Sequence, residues 1–220
     1  MKTIRVRGTS EGIPVGKILC VGRNYVEHAR EMRADIPRQP VVFIKPSTAI
    51  LHTGEEIIIP AVSREVHHEV ELVVAIAKTG RNIPPENARE FILGYGVGLD
   101  MTLRDVQAEA KKNGLPWSMA KGFDTSAPVS EIVPAEQIER PSGLEIRCSV
   151  NGVVKQQTCV DKMIFPVEEI LAYVSTVFTL ERGDVIFTGT PEGVGPVLPG
   201  DTITAELVRY EKITHPVRSA

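Results

Sequence analysis

The chain has 220 residues, enough for one domain with a large hydrophobic core. Hydrophobic residues make up 42% and charged residues 24%, as in ordinary globular proteins, which argues against disorder and against fibrous repeats. A net charge of -3 does not supply the basic surface that a nucleic-acid ligand requires. We therefore expect a globular protein without a nucleic-acid partner.

The first residues and the apolar runs predict no association with a membrane. The segment MKTIRVRGTSEG lacks the apolar core of a signal peptide, and the later apolar runs are shorter than the roughly 20 residues that span a bilayer. We therefore expect a cytoplasmic protein. Its 3 cysteines lack a CxxC spacing, so they are expected to be reduced packing residues rather than disulfides or zinc ligands.

The first half of the chain alternates irregularly between strand and helix signals. Residues 1–16 precede the first clear strand and are interpreted as a short N-terminal extension. The run ILCV at 18–21 predicts a strand, and helical periodicity follows at 24–32. Three β-branched runs, at 41–44, 56–60 and 69–77, then predict further strands, and helical periodicity returns at 85–93 and 103–114.

The second half of the chain contains a strong hairpin signal. The run LEIRCSV at 144–150 predicts a strand, and Asn151-Gly152 after it predicts a two-residue turn to an antiparallel partner. A helix is predicted at 167–178 and a strand at 184–189. Because helices and strands do not alternate regularly, the predicted class is α+β, with mixed and antiparallel sheets and a few flanking helices.

Two glutamates, Glu69 and Glu71, lie in an otherwise apolar predicted strand. The two-residue period of a strand places both side chains on one face, where burial is unfavourable unless a cation or protons neutralise them. Asp100 ends the apolar segment FILGYGVGLD, where it can meet the strand of the glutamates. Three carboxylates suit Mg²⁺ or Mn²⁺ better than zinc. From the spacing alone, a solvent-exposed pair of glutamates and a capping aspartate are open alternatives.

Five blocks of sequence resemble the fumarylacetoacetate hydrolase family, especially its short acylpyruvate hydrolase branch. In chain order they are GRNYVEH, HHEVEL, GYGVGLDMTLRDVQ, GLPWSMAKGFD and DVIFTGTPEGVGPV. The resemblance implies a β-rich roll, with one catalytic domain over residues 17–220 and assembly as a homodimer. It also implies that Glu69, Glu71 and Asp100 hold Mg²⁺ or Mn²⁺.

The resemblance also implies roles for six further residues. His28 and Glu31 match a pair that activates water, and their three-residue spacing puts both on one helix face. Lys121 matches a lysine that faces the metal and stabilises an oxyanion. The residues expected around the oxygens of the substrate are Arg23, Gln107 and Thr190. Without the resemblance, a solvated ion pair, a surface lysine and ordinary turn chemistry would be the simpler interpretations.

The reaction that the resemblance implies is hydrolytic cleavage of a C–C bond in an acylpyruvate, a 2,4-dioxo acid such as acetylpyruvate or fumarylpyruvate. Glu31 would orient His28, His28 would take a proton from water, and Lys121 would support the oxyanion. Decarboxylation of oxaloacetate, or isomerisation of an oxo acid, could use the same site. Neither obviously needs the pair of His28 and Glu31, so the sequence favours hydrolysis.

An alternative from another class is a phosphate-binding module built on the glycine-rich loop at 189–195. The loop follows a predicted strand, as phosphate-binding loops do. It contains a proline and a glutamate and leads into VLPGD rather than into a helix. A phosphate site of this kind is therefore disfavoured.

Overall fold

The computed structural model of the chain describes residues 2–10 and 12–220. Its α-helices are α1 (Val26–Glu31), α2 (Arg104–Lys112), α3 (Ser118–Lys121) and α4 (Val167–Val177). Its strands are β1 (Thr3–Arg5), β2 (Gly12–Pro14), β3 (Lys17–Gly22), β4 (Val41–Pro46), β5 (Ile50–Leu51), β6 (Ile57–Ile59), β7 (Val66–His68), β8 (Val70–Ile76), β9 (Ile92–Leu99), β10 (Thr102–Leu103), β11 (Ala127–Pro128), β12 (Val133–Pro134), β13 (Glu145–Val150), β14 (Val153–Cys159), β15 (Val185–Phe187), β16 (Gly195–Val197), β17 (Thr202–Leu207) and β18 (Glu211–Ser219). The predicted α+β class with mixed sheets is confirmed.

A six-stranded sheet, in the order β12-β9-β8-β15-β3-β4, carries the strands that later form the site. Its strand β8 is buried along its whole length because both faces of the sheet are covered. Leu72 and Val74 belong to one hydrophobic core, and Val73 and Ala75 to the other. This alternation follows from the two-residue period of the strand. Burial on both faces explains why the sequence of β8 is almost continuously apolar.

A five-stranded sheet, in the order β14-β13-β17-β18-β6, covers one face of the six-stranded sheet. Its buried residues, such as Ile146 and Ile203, share a core with Leu72 of β8. The hairpin between β13 and β14 turns at Asn151 and Gly152, which have φ angles of 51° and 78°. Positive φ at both positions is typical of the primed two-residue turn, so the predicted antiparallel hairpin is confirmed.

The segment interpreted as an N-terminal extension packs on the opposite face. Strands β1 and β2 form a hairpin, and the side chains of Ile4 and Ile13 are buried in a core with Val73. The amide of Ile132 donates to the carbonyl oxygen of Arg5 at 2.8 Å. Among the described residues, no helix has the length and apolar character needed to cross a membrane.

One predicted helix is wrong in part. Residues Pro85–Phe91 form a 3-10 helix, and Ile92 already begins β9. Ile92 pairs with Ile76 of β8, so the apolar end of the segment PENAREFIL is used by the sheet. Tertiary pairing thus overrides the helical periodicity of the segment.

Candidate metal centre

The three predicted carboxylates meet where two antiparallel strands end. Glu71 lies in β8, Glu69 lies at the junction between β7 and β8, and Asp100 directly follows β9. Antiparallel pairing of β8 with β9 places Asp100 beside Glu69, and the amide of Asp100 donates to the carbonyl oxygen of Glu69 at 2.8 Å. One carboxylate oxygen from each residue lies within 4.8 Å of the others. All three side chains are buried.

Lys121, at the end of α3, neutralises two of these carboxylates. Its Nζ lies 2.7 Å from Glu69 Oε2, 2.6 Å from Asp100 Oδ2 and 2.7 Å from the hydroxyl of Thr102. Burial alone would lower the pKa of Lys121, but Asp100 and Glu69 raise it above its usual value. Lys121 is therefore a buried cation, and its three N–H donors are all used inside the protein.

Two further cations, Arg104 and Lys45, complete the charge balance and were missed by sequence reasoning. Arg104 Nη2 lies 2.6 Å from Glu69 Oε1, and the fully buried Lys45 Nζ lies 2.8 Å from Asp100 Oδ1. Arg104 stands three residues before Gln107 in the motif LRDVQ, so a shared helix face was its signal. Lys45 stands in the otherwise apolar strand VVFIKP, and a lysine within such a run was the signal there.

Glu71 is the carboxylate without a cation in contact among the described residues. Its Oε2 accepts a hydrogen bond from the amide of Gly189 at 2.7 Å. Burial raises the pKa of Glu71 well above its usual value, and the charges of Asp100 and Glu69 raise it further. In contrast, burial would raise the pKa of Glu69, but Lys121 and Arg104 hold it well below its usual value.

The cluster fits a hard divalent cation. Within the described residues, Asp100 Oδ1 accepts no hydrogen bond of normal geometry, although Lys45 Nζ lies nearby. A cation beside Glu71 and Asp100 would neutralise the first and would contact the oxygen of the second that accepts no hydrogen bond from the described residues. Mg²⁺ and Mn²⁺ prefer carboxylate oxygens of this kind, and the three acidic residues could supply them.

The pair of His28 and Glu31 lies on α1. His28 Nδ1 is 3.1 Å from Glu31 Oε2, and His28 is buried whereas Glu31 is partly exposed. Because a carboxylate only accepts hydrogen bonds, Nδ1 carries the proton of this contact, and in the neutral ring Nε2 is left as an acceptor. The sequence-predicted spacing of one helical turn thus produces a hydrogen-bonded pair.

The glycine-rich loop at 189–195 connects the carboxylate cluster with this pair. The amide of Gly189 donates to Glu71, and the amide of Gly193 donates to Glu31 Oε1 at 3.0 Å. The loop continues into strand β16 rather than into a helix. Two of the amides that a phosphate ligand would need are therefore used by carboxylates of the chain itself, which weakens the phosphate-binding alternative.

A cavity of about 370 Å³ opens over the cluster. His28, Glu69, Glu71 and Lys121 line it. The three residues predicted to surround the substrate also line this cavity: Arg23, Gln107 and Thr190. The structure thus brings every predicted site residue to one cavity or, for Glu31 and Asp100, to a side chain that lines it.

The three predicted substrate contacts differ in whether they have a hydrogen-bonding group without a partner in the protein. Arg23 Nε is buried without a hydrogen-bond partner in the described part of the chain. Gln107 Oε1 accepts from Arg104 Nη1 at 2.8 Å. The hydroxyl of Thr190 donates to the carbonyl oxygen of Val70 at 2.9 Å. Arg23 therefore has the free donor, while Thr190 holds the glycine-rich loop against β8.

Gln156 of β14 fixes the same loop and was not found from the sequence. Its Nε2 donates to the hydroxyl of Thr190 at 2.9 Å, and its Oε1 accepts from the amide of Val70 at 3.1 Å. His68 Nδ1 also lies 2.9 Å from that oxygen. In the run VVKQQTC a glutamine is typical of an exposed strand face, so no local signal marked it.

Known relatives match nearly the whole chain. The family model described as fumarylacetoacetate (FAA) hydrolase C-terminal matches residues 17–218. The mitochondrial oxaloacetate tautomerase FAHD1 of Mus musculus is 50% identical over 188 residues, which cover 86% of this chain and 85% of that protein. The protein of the same name from Arabidopsis thaliana is 45% identical over 197 residues, covering 90% of this chain and 88% of that protein.

A solved structure has the same fold as this chain. The crystal structure of fumarylpyruvate hydrolase from Pseudomonas aeruginosa, in complex with Mn²⁺ and pyruvate, has a TM-score of 0.94 and 39% sequence identity to this chain. The match covers 99% of this chain and 96% of that one. The chain is therefore an enzyme of the fumarylacetoacetate hydrolase family, with a buried carboxylate cluster that could hold a divalent metal ion.

Proposed function

We propose that the enzyme catalyses keto–enol tautomerisation of a small 2-oxo acid, with oxaloacetate as the leading substrate. The observation that carries the proposal is the hydrogen-bonded pair of His28 and Glu31 beside the cavity over the carboxylate cluster. Tautomerisation needs a base for the carbon next to the 2-oxo group and positive charge near the oxygen of that group. The pair of His28 and Glu31 therefore serves this reaction as well as hydrolysis, contrary to the expectation from the sequence. Relatives that are 50% and 45% identical and are named oxaloacetate tautomerase support this choice.

Glu69, Glu71 and Asp100 would hold the divalent ion. When bound, the ion would polarise the 2-oxo group as a Lewis acid. The charge of a dication would not be cancelled, because Lys45, Lys121 and Arg104, which contact Glu69 and Asp100, already balance the three negative charges of the cluster. The positive excess favours an anionic oxo acid in the cavity.

His28 would transfer the proton. Its Nε2 would take a proton from C3 of the oxo acid and return it to the enol oxygen. The carboxylate of Glu31, which accepts the hydrogen bond from Nδ1, would stabilise the imidazolium that forms in between. Arg23, with its free Nε, would bind the carboxylate of the substrate.

Lys121 would influence the substrate through its positive charge rather than through a hydrogen bond. Its three N–H donors already contact Glu69, Asp100 and Thr102, so a direct hydrogen bond to the substrate would require one of these contacts to break. The proposed role is therefore to hold two carboxylates in place and to keep the potential at the site positive. This differs from the direct oxyanion contact that the sequence suggested.

The second candidate is hydrolysis of an acylpyruvate, which the sequence favours. The similarity to the fumarylpyruvate hydrolase of Pseudomonas aeruginosa supports it. In this reaction His28 would take its proton from water, and the hydroxide would attack the distal carbonyl carbon. Hydrolysis needs a placed water in addition to the groups that tautomerisation needs. Assembly as a homodimer and a cytoplasmic location stay predictions.

The test compares oxaloacetate, acetylpyruvate and fumarylpyruvate as substrates of the purified enzyme with Mn²⁺. We expect the largest kcat/KM for oxaloacetate, measured as the change in enol absorbance above the uncatalysed rate. His28→Asn should lower kcat by about 10²- to 10⁴-fold, the usual contribution of a general base, without changing the affinity for Mn²⁺.

His52→Asn is the matched control, because His52 lies outside the cavity over the cluster. A larger kcat/KM for an acylpyruvate would replace tautomerisation by hydrolysis. Full activity of His28→Asn would show that His28 is not the base. Activity that survives thorough chelation would contradict the metal-dependent chemistry.

A further inference from the structure

The cavity contains more positive charge than the carboxylate cluster uses. Arg23, Arg33 and Lys111 also line its wall. Within residues 2–10 and 12–220, none of these three side chains forms an ion pair. Arg33 and Lys111 are also exposed to solvent, so their charges are available to a ligand, and the cavity suits a ligand with more than one negative charge.

Lys111 lies near the C-terminal end of α2, on the helix face that lines the cavity. Arg104, Gln107 and Lys111 follow one another at intervals of three and four residues, so they share one helix face, and all three line the cavity. Arg104 contacts Glu69 at the cluster. Seven residues of helix place Lys111 about 10 Å further along the axis. One face of α2 therefore carries Arg104 at the end near the cluster and Lys111 at the other end.

An aromatic contact holds the ammonium of Lys111. Its Nζ lies 5.2 Å from the ring centroid of Trp117, a distance typical of a cation–π contact. Trp117 in turn packs edge-on against Phe43, with ring centroids 5.9 Å apart. Burial lowers the pKa of Lys111, and the charges of Arg104 and Lys121 lower it further. An anion at this place would relieve that repulsion.

We infer that Lys111 determines specificity by binding the second carboxylate of a dicarboxylic oxo acid whose 2-oxo end lies at the carboxylate cluster. The inference rests on the proposed function, because it assumes that an oxo acid occupies the cavity. The expected substrates are dianionic oxo acids, whether the reaction is tautomerisation or hydrolysis. Oxaloacetate and fumarylpyruvate belong to this class, and acetylpyruvate does not.

The test is Lys111→Met, assayed with all three substrates in the presence of Mn²⁺. We expect the KM values for oxaloacetate and fumarylpyruvate to rise by about 10- to 100-fold, as for loss of a hydrogen bond between charged groups. The KM for acetylpyruvate and the affinity for Mn²⁺ should stay unchanged. Lys111→Arg should restore most of the loss, because the positive charge is kept.

Lys112→Met is the matched control, since Lys112 is the exposed next residue of α2 and does not line the cavity. Equal KM changes for all three substrates, or no change with Lys111→Met, would overturn the inference and leave the proposed function standing. A selective effect on fumarylpyruvate hydrolysis, without any tautomerisation of oxaloacetate, would support the inference and overturn the proposed function. A wild-type enzyme that accepts none of the three would overturn both.

Discussion

The two large sheets bury polar side chains in opposite ways. At the edge of the six-stranded sheet, Glu69 and Asp100 form ion pairs with Lys121, whose Nζ lies within 2.7 Å of both carboxylates. In the five-stranded sheet, the buried polar groups Gln156 and His215 are held by hydrogen bonds to neutral partners. The carboxylate cluster therefore buries several charges together, whereas the buried hydrogen bonds of the five-stranded sheet join neutral groups.

This difference shows where function is located. A neutral buried network is complete when its hydrogen bonds are formed, and it then only fixes geometry. The carboxylate cluster is incomplete in this sense, because Glu71 has a raised pKa and accepts a hydrogen bond only from a backbone amide among the described residues. An incomplete charged cluster costs stability and is retained where a ligand completes it.

The strongest test of the comparison is Glu71→Gln. We expect loss of Mn²⁺ binding and a fall in kcat/KM of at least about a thousandfold, since the ion contributes several kcal/mol to transition-state stabilisation. The free energy of unfolding in chelator should not decrease. Glutamine can still accept the hydrogen bond from Gly189, and a buried carboxylate without a cation is removed. Calorimetric titration with Mn²⁺ and urea denaturation measure the two effects.

The matched control for this variant is Glu136→Gln, which removes an exposed carboxylate that does not line the cavity. It should leave both metal binding and stability unchanged. A Glu71→Gln protein that binds Mn²⁺ with wild-type affinity would show that two carboxylates are sufficient. A large loss of stability in chelator would show that Glu71 is a structural group like those of the five-stranded sheet.

Lys121→Met should have the next largest effect, and on stability rather than only on activity. Removing this cation leaves Glu69 and Asp100 buried without their shared partner. Breaking a buried ion pair in this way typically costs about 3 to 5 kcal/mol in the free energy of unfolding. Saturating Mn²⁺ should restore part of this loss, because the ion binds only the folded state. A variant as stable as the wild type in chelator would contradict the charge balance described above.

Features that depend on neighbouring residues could be predicted from the sequence, and contacts between distant residues could not. Glu69 and Glu71 became candidates because the period of a strand is a local property, and the resemblance to the family then assigned them, with Asp100, to a metal. Lys45 contacts Asp100 across 55 residues of sequence, shown by their numbers, and no local pattern connects them. The hairpin at Asn151 was predicted because its turn needs a particular pair of residues.

Gln156 shows the limit of sequence reasoning most clearly. Its hydrogen bonds with Val70 and Thr190 join three elements that are distant along the chain. Only the packing of the five-stranded sheet against the site creates these contacts. The segment 85–93 was misinterpreted for a related reason, since pairing of Ile92 with Ile76 decides its conformation. Long-range pairing is therefore the information that periodicity lacks.

The smallest expected effect concerns His215, which is fully buried in β18. Its Nδ1 lies 2.9 Å from the carbonyl oxygen of Glu55, to which it donates. Burial lowers the pKa of His215 below its usual value of 6.5. As the pH falls through 6.5, the unfolded chain takes up a proton that the folded protein still excludes, so the free energy of unfolding falls.

The contribution of His215 should be at most about 1.4 kcal/mol for each pH unit below 6.5, and absent above about pH 7.5. His215→Asn should reduce the slope by this amount, because asparagine can donate to Glu55 but does not titrate. Urea denaturation of both proteins in chelator, between pH 8 and pH 5, measures the slopes. Equal slopes would show that His215 is charged when folded. The five-stranded sheet would then also bury charge, and the contrast with the carboxylate cluster would fail.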